Sequence, residues 1–135
     1  MKRMFALVAG LSFAFVACEV TTNDGTVEQY ADTGIKNVSF KVDTTYMVAS
    51  PGMLVARGLA KNGGTAIITS PWRVECQFYT DSTLLVKLGV NSIEMGVPLS
   101  PGQSAYWMVS FASGNVDVRR FPGFKVADFK ATYGD

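Results

Sequence analysis

Residues 72–79 read Trp72-Arg73-Val74-Glu75-Cys76-Gln77-Phe78-Tyr79, and their alternation decides the fold class. Trp72, Val74, Cys76 and Phe78 fall in one phase, while Arg73, Glu75 and Gln77 fall in the other. Successive side chains of an extended chain point to opposite faces. The segment is therefore a strand with one face in a core and one in solvent. Trp72 and Cys76 are expected inside. Tyr79, out of phase with Phe78, is expected outside. Thr80-Asp81-Ser82 then turns the chain.

The same period of two extends in both directions. Upstream, Val38, Phe40, Val42 and Tyr46 alternate with Ser39, Lys41, Asp43 and Thr45. Met53 to Lys61 is a second apolar run, ended by the turn signal Asn62-Gly63-Gly64. Downstream, Leu84, Val86 and Leu88 predict a strand with Lys87 on its other face. Asn91-Ser92 reads as the break before Ile93, Met95, Val97 and Leu99, which alternate with Glu94. Pro101-Gly102 turns the chain into Ala105–Phe111, where Trp107, Val109 and Phe111 share a phase and Tyr106 faces the other way.

Phe124 to Tyr133 is the closing strand, and its phase breaks. Phe124 and Val126 belong to one phase, Phe129, Ala131 and Tyr133 to the other. One extra residue near Ala127-Asp128, a β-bulge, would reconcile them. The alternative is a strand buried on both faces. Seven short strands with frequent turns predict an all-β, antiparallel, immunoglobulin-like β-sandwich over residues 38–135.

The N-terminus has a different character. Lys2 and Arg3 precede Phe5–Ala17, an uncharged apolar stretch of 13 residues. That is too short to span a bilayer, which takes about 20 residues. It has the form of a secretory signal over residues 1–17. A buried N-terminal helix is the bland alternative. Phe15-Val16-Ala17 before Cys18 suits ordinary signal cleavage poorly, because Phe15 is large. It resembles a bacterial lipobox, with Phe15 where Leu is most common. The resemblance implies acylation of Cys18 and attachment to the membrane through several acyl chains, which a single chain could not secure. Glu19, in place of a retaining Asp, favours the outer membrane. Without acylation the protein would be periplasmic or secreted, and a disulfide between Cys18 and Cys76 would become open. Residues 18–37 are polar and Thr-rich and are expected to form a flexible tether, spanning roughly 25 Å.

Composition excludes several chemistries. The chain has no His, so Ser-His-Asp and Cys-His machinery and imidazole metal ligands are ruled out. No Gly-rich loop opens a helix to cradle a nucleotide. Loss of Lys2 and Arg3 with the signal takes the formal charge from +1 to about −1, so no basic stripe exists for nucleic acid. Glu75 and Glu94 could meet across a sheet as an acid–base pair, but solvated strand-face residues are the simpler reading. Asp24 and Asp32 read as solubilising residues, without calcium-loop spacing. No catalytic residue, cofactor or metal is expected.

Four runs carry a family resemblance: Ala60–Gly64 (AKNGG), Trp72–Asp81 (WRVECQFYTD), Val97–Phe111 (VPLSPGQSAYWMVSF) and Phe124–Tyr133 (FKVADFKATY). Together they resemble the FxLYD-type family of bacterial extracytoplasmic domains. The matching positions are Asn62, Gly63, Phe78, Tyr79, Asp81, Pro101, Gly102, Ser110 and Phe111. Thr80 stands before Asp81, and no Leu separates Phe78 from Tyr79, which departs from the pattern. The resemblance implies an immunoglobulin-like fold outside the cytoplasm and no particular chemistry.

The remaining candidates are contact residues. Exposed aromatics on a sandwich face anchor partners, which singles out Tyr79 and Tyr106. Arg119-Arg120-Phe121, ahead of Pro122-Gly123, reads as a recognition loop. The expected partners are the membrane, through acyl chains on Cys18, and another envelope protein. A glycan could stack on the same rings, but no further residue supports one. A non-catalytic binding module fits these features. A structural or assembly subunit of an envelope or secretion complex is the alternative.

Overall fold

The computed structural model describes residues 34–134. The expected signal, Cys18, Glu19, Asp24, Asp32 and most of the expected tether lie outside the described residues. Within them run β1 (Gly34–Ile35), β2 (Val38–Val48), β3 (Met53–Asn62), β4 (Trp72–Tyr79), β5 (Lys87–Met95), β6 (Ser104–Phe111) and β7 (Lys125–Tyr133), with a one-turn 3-10 helix at Val118–Arg120. Two sheets form, in the orders β1-β7-β4-β5 and β2-β3-β6. Their pairings are antiparallel. The chain crosses between sheets after β1, β3, β5 and β6, as expected of an all-β, immunoglobulin-like sandwich.

The core follows from the alternation. Trp72, Val74, Cys76 and Phe78 of β4 are all buried, against Leu54, Ala56 and Ala60 of β3 and Trp107 and Val109 of β6. The Trp72 Nε1–H donates to the Val97 carbonyl at 2.8 Å, so its burial leaves no polar atom stranded. Phe78 stacks on Phe111 and Phe124 at 5.3 and 5.9 Å. Gly58 is required where β2, β3 and Trp107 meet. A Cβ there would overlap the Lys41 carbonyl and come within 2.9 Å of the Trp107 ring.

The bulge in the closing strand is present where the phase break places it. Glu75 pairs with Lys130 and Gln77 with Ala127, so β7 carries one extra residue between them. Asp128 takes φ +55°, a left-handed conformation that Asp tolerates better than most residues. Val126, Phe129 and Ala131 thereby all pack on the core.

Two expectations are corrected. The pattern predicts separate strands at Leu84–Leu88 and Ile93–Leu99. Instead a single β5 runs through Asn91 and Ser92, which pair with Cys76 and Glu75. An edge strand accepts such polar residues, and the Asn91 side chain donates to the Ser110 carbonyl at 2.6 Å. Leu84 and Val86 sit in the β4–β5 loop, and Leu99 makes only an isolated bridge to Ile68. The second correction concerns Tyr46. β2 has its own register shift between Val42 and Thr44. Beyond it the facing reverses, so Met47 packs on the core and Tyr46 turns outward.

Candidate functional site

The outer face of the three-stranded sheet is built by register alone. Tyr46 on β2 lies opposite Val55 on β3, which lies opposite Ser110 on β6. The next row is Thr44, Arg57 and Met108, and the one after it Lys41, Leu59 and Tyr106. The last is Ser39, Lys61 and Ser104. Tyr106 is 79% exposed, as its phase predicts, Met108 52% and Tyr46 41%. Val55 is buried beneath them and Leu59 half-buried, which gives the face an apolar floor. The Arg57 guanidinium stands 6.0 Å from the centre of the Tyr46 ring, within cation–π range. Arg57, Met108 and Tyr46 are the surface residues that sequence reasoning passed over. Arg57 carried a local signal, a cation in the middle of the apolar run of β3. Tyr46 carried none, because its facing depends on the bulge in β2.

Tyr79 does not face solvent. It is only 5% exposed, contrary to its expected role as a surface ring. β4 is an inner strand of its sheet, with Lys87 and Lys125 flanking Tyr79 on either side. The Tyr79 hydroxyl donates to an Asp128 carboxylate oxygen. That bond to the carboxylate, followed by burial and the Asp128 charge, holds the phenol in its neutral form and raises its pKa above the ordinary value. The left-handed bulge thus also delivers a carboxylate to a buried ring.

Arg119, Arg120 and Phe121 occupy the connection from β6 to β7. Asp117 caps the 3-10 helix by accepting from the Arg119 backbone N–H at 3.1 Å. It also accepts from Arg119 Nε at 2.8 Å and from a terminal guanidinium nitrogen at 3.2 Å. These bonds hold the Asp117 carboxyl below its usual range. Arg119 is committed to that pair, and its stem lies over Gly52. Phe121 packs half-buried on the core, while Arg120 is exposed. The expected contact residues are therefore not one cluster. Tyr106 stands on one sheet face, Tyr79 inside the other sheet, and Arg119 to Phe121 in a loop.

The remaining chemical candidates separate in the same way. Glu75 lies opposite Ser92 and Lys130, and Glu94 opposite Arg73. Glu75 lines a groove with Gln77, Lys87 and Asp128, whereas Glu94 lines another with Pro71, Arg73 and Tyr133. Among the described residues no group of three or more acidic, Cys or His side chains could hold a metal ion. Cys76 is buried, as its phase predicts, and forms no disulfide among the described residues; desolvation with the nearby Glu75 charge pushes its thiol up to about 12.

Asn62, read from sequence as part of a turn, is a buried knot instead. Its amide donates to the carbonyls of Ala66 and Leu99 at 2.8 and 2.9 Å, and its Oδ1 accepts from the Gly64 N–H at 2.9 Å. Its backbone bonds Gln103 and Gly102. One side chain thus ties the β3–β4 and β5–β6 connections together.

The outer face of β2, β3 and β6 is accordingly a surface of exposed aromatic, sulfur-containing and cationic side chains on a β-sandwich. Comparisons with protein-family models, with curated proteins and with solved structures find no match.

Proposed function

We propose that this protein is a non-catalytic envelope lipoprotein that presents the outer face of β2, β3 and β6 to another envelope protein. Residues 1–17 direct export, and Cys18 carries the acyl chains that hold the molecule at the membrane. One observation carries the binding reading. Tyr106, Met108 and Tyr46 are held in solvent beside Arg57 on a rigid sheet, and Tyr, Met and Arg are the residue types enriched in protein interfaces. The FxLYD-type resemblance agrees with a displayed domain of this kind.

Two measurements test the reading. The intact mass of membrane-extracted protein should correspond to a chain starting at Cys18 plus acyl groups, and Cys18→Ser should lose both cleavage there and the added mass. An unmodified chain cut elsewhere would remove the anchor. A photo-crosslinker placed at Met108 should give a discrete heavier adduct in intact cells, and one at Glu94 on the other sheet should not. Equal adducts from both positions, or none, would sink the contact face.

A further inference from the structure

The contact face is electrostatically one-sided. Lys41, Arg57 and Lys61 all point out from it, and among the described residues the carboxylate ion-paired there is Asp43, 3.8 Å from Lys41. Among the described residues Arg57 and Lys61 have no ion-pair partner. The two sit on one strand, four residues apart, which places them about 13 Å from each other. Leu59 lies midway between them, level with Tyr106 on the next strand.

We infer that the partner of this face is an acidic polypeptide segment carrying an apolar anchor, with carboxylates spaced to meet Arg57 and Lys61 on either side of the Leu59–Tyr106 floor. The inference rests on the reading of this face as the contact surface and adds the chemistry of what it contacts. Arg57 is suited to the task. A guanidinium held against a ring is less hydrated and partly pre-ordered, so less freedom is lost when it binds a carboxylate in two-pronged fashion. The apolar floor supplies the area that a few exposed ion pairs cannot. A phosphate polymer or an anionic bilayer would also favour cations. Three basic residues on a flat sheet make neither the continuous stripe that nucleic acid needs nor the protruding apolar tip that enters a bilayer.

The test uses the chain from residue 18 onward with Cys18→Ser, so that no lipid contributes. The probe is a synthetic extended peptide with two Glu residues four apart around a central Leu. Its controls are the same peptide with Lys for Glu, a scrambled version with the Glu residues adjacent, and phosphatidylglycerol vesicles. The spaced acidic peptide should bind at least about tenfold more tightly than either control peptide and weaken with added salt. Arg57→Glu and Lys61→Glu should each abolish that preference, with the thermal unfolding of both variants unchanged. Equal binding of the Lys peptide, binding unaffected by Arg57→Glu, or binding to the vesicles in place of the peptide would overturn the inference. A Met108 adduct in cells together with any of these outcomes would refute the acidic partner and leave the contact face standing. Failure at Met108 itself would remove the face.

Discussion

The two sheets of this sandwich turn very different surfaces to solvent. On the four-stranded sheet the outward charges interleave. Arg73 faces Glu94, Glu75 faces Lys130, and Lys87 and Lys125 flank Tyr79 with its Asp128 partner. Charges of opposite sign thus stand opposite one another by register, Arg73 donates to the Ser92 hydroxyl at 3.0 Å, and β4 is largely buried. On the three-stranded sheet exposed rings, Met108 and cations stand among Ser and Thr residues, and among the described residues the β3 cations Arg57 and Lys61 have no ion-pair partner. A solvated face tolerates mixed charge because water and neighbours satisfy it. A face with exposed rings and an excess of cations leaves more apolar and charged surface to solvent, and it is the face on which the proposed function rests.

This contrast can be broken or sharpened by mutation. The largest effect should come from Trp72→Ala, since both faces rest on the same core. Trp72 is fully buried, and its removal should cost about 3–5 kcal/mol in urea unfolding. Unchanged unfolding would show that the two sheets do not share that support. Asn62→Ala comes next. It strands the Ala66 carbonyl and the Gly64 N–H, leaves the Leu99 carbonyl with only the Ile68 N–H, and should cost about 2–3 kcal/mol. A loss below about 0.5 kcal/mol would mean that water replaces the side chain without penalty.

Tyr79→Phe probes the four-stranded sheet, and its signature is pH dependence. The folded phenol titrates above its unfolded value, so its contribution is present below about pH 10 and is lost as pH rises through the raised value. The wild-type stability advantage over Tyr79→Phe should therefore shrink in alkali. A difference that stays constant from neutral to strongly alkaline pH would show that Tyr79 does not bond Asp128. The smallest effects belong to the other face. Tyr106→Ala and Arg57→Glu should change stability by no more than about 0.5 kcal/mol, because neither side chain supports the core. A loss of several kcal/mol in either would assign the face to folding.

Much of this architecture was legible in the chain, for a local reason. Facing alternates strictly along a strand, so Trp72, Cys76 and Trp107 could be placed inside and Tyr106 outside without knowing any partner. The break in phase near Asp128 announced a bulge for the same reason. The outer face of β2, β3 and β6 was only partly legible. Tyr106 was visible and Tyr46 was not, because a second bulge in β2 has no comparable break of apolar phase to reveal it.

By itself, then, the sequence determined a period-two sandwich, the inward set of β4 and β6, the bulge in β7, and the absence of histidine chemistry. Only the tertiary structure decided that Tyr79 is buried, that Asn91 and Ser92 lie within a strand, that Asn62 is a core knot, and that Tyr46, Arg57, Met108 and Tyr106 share one surface. Alternation is a property of neighbouring residues along one chain. Burial and coincidence on a face depend on register between strands distant in sequence, which hydrogen bonding and core packing settle together.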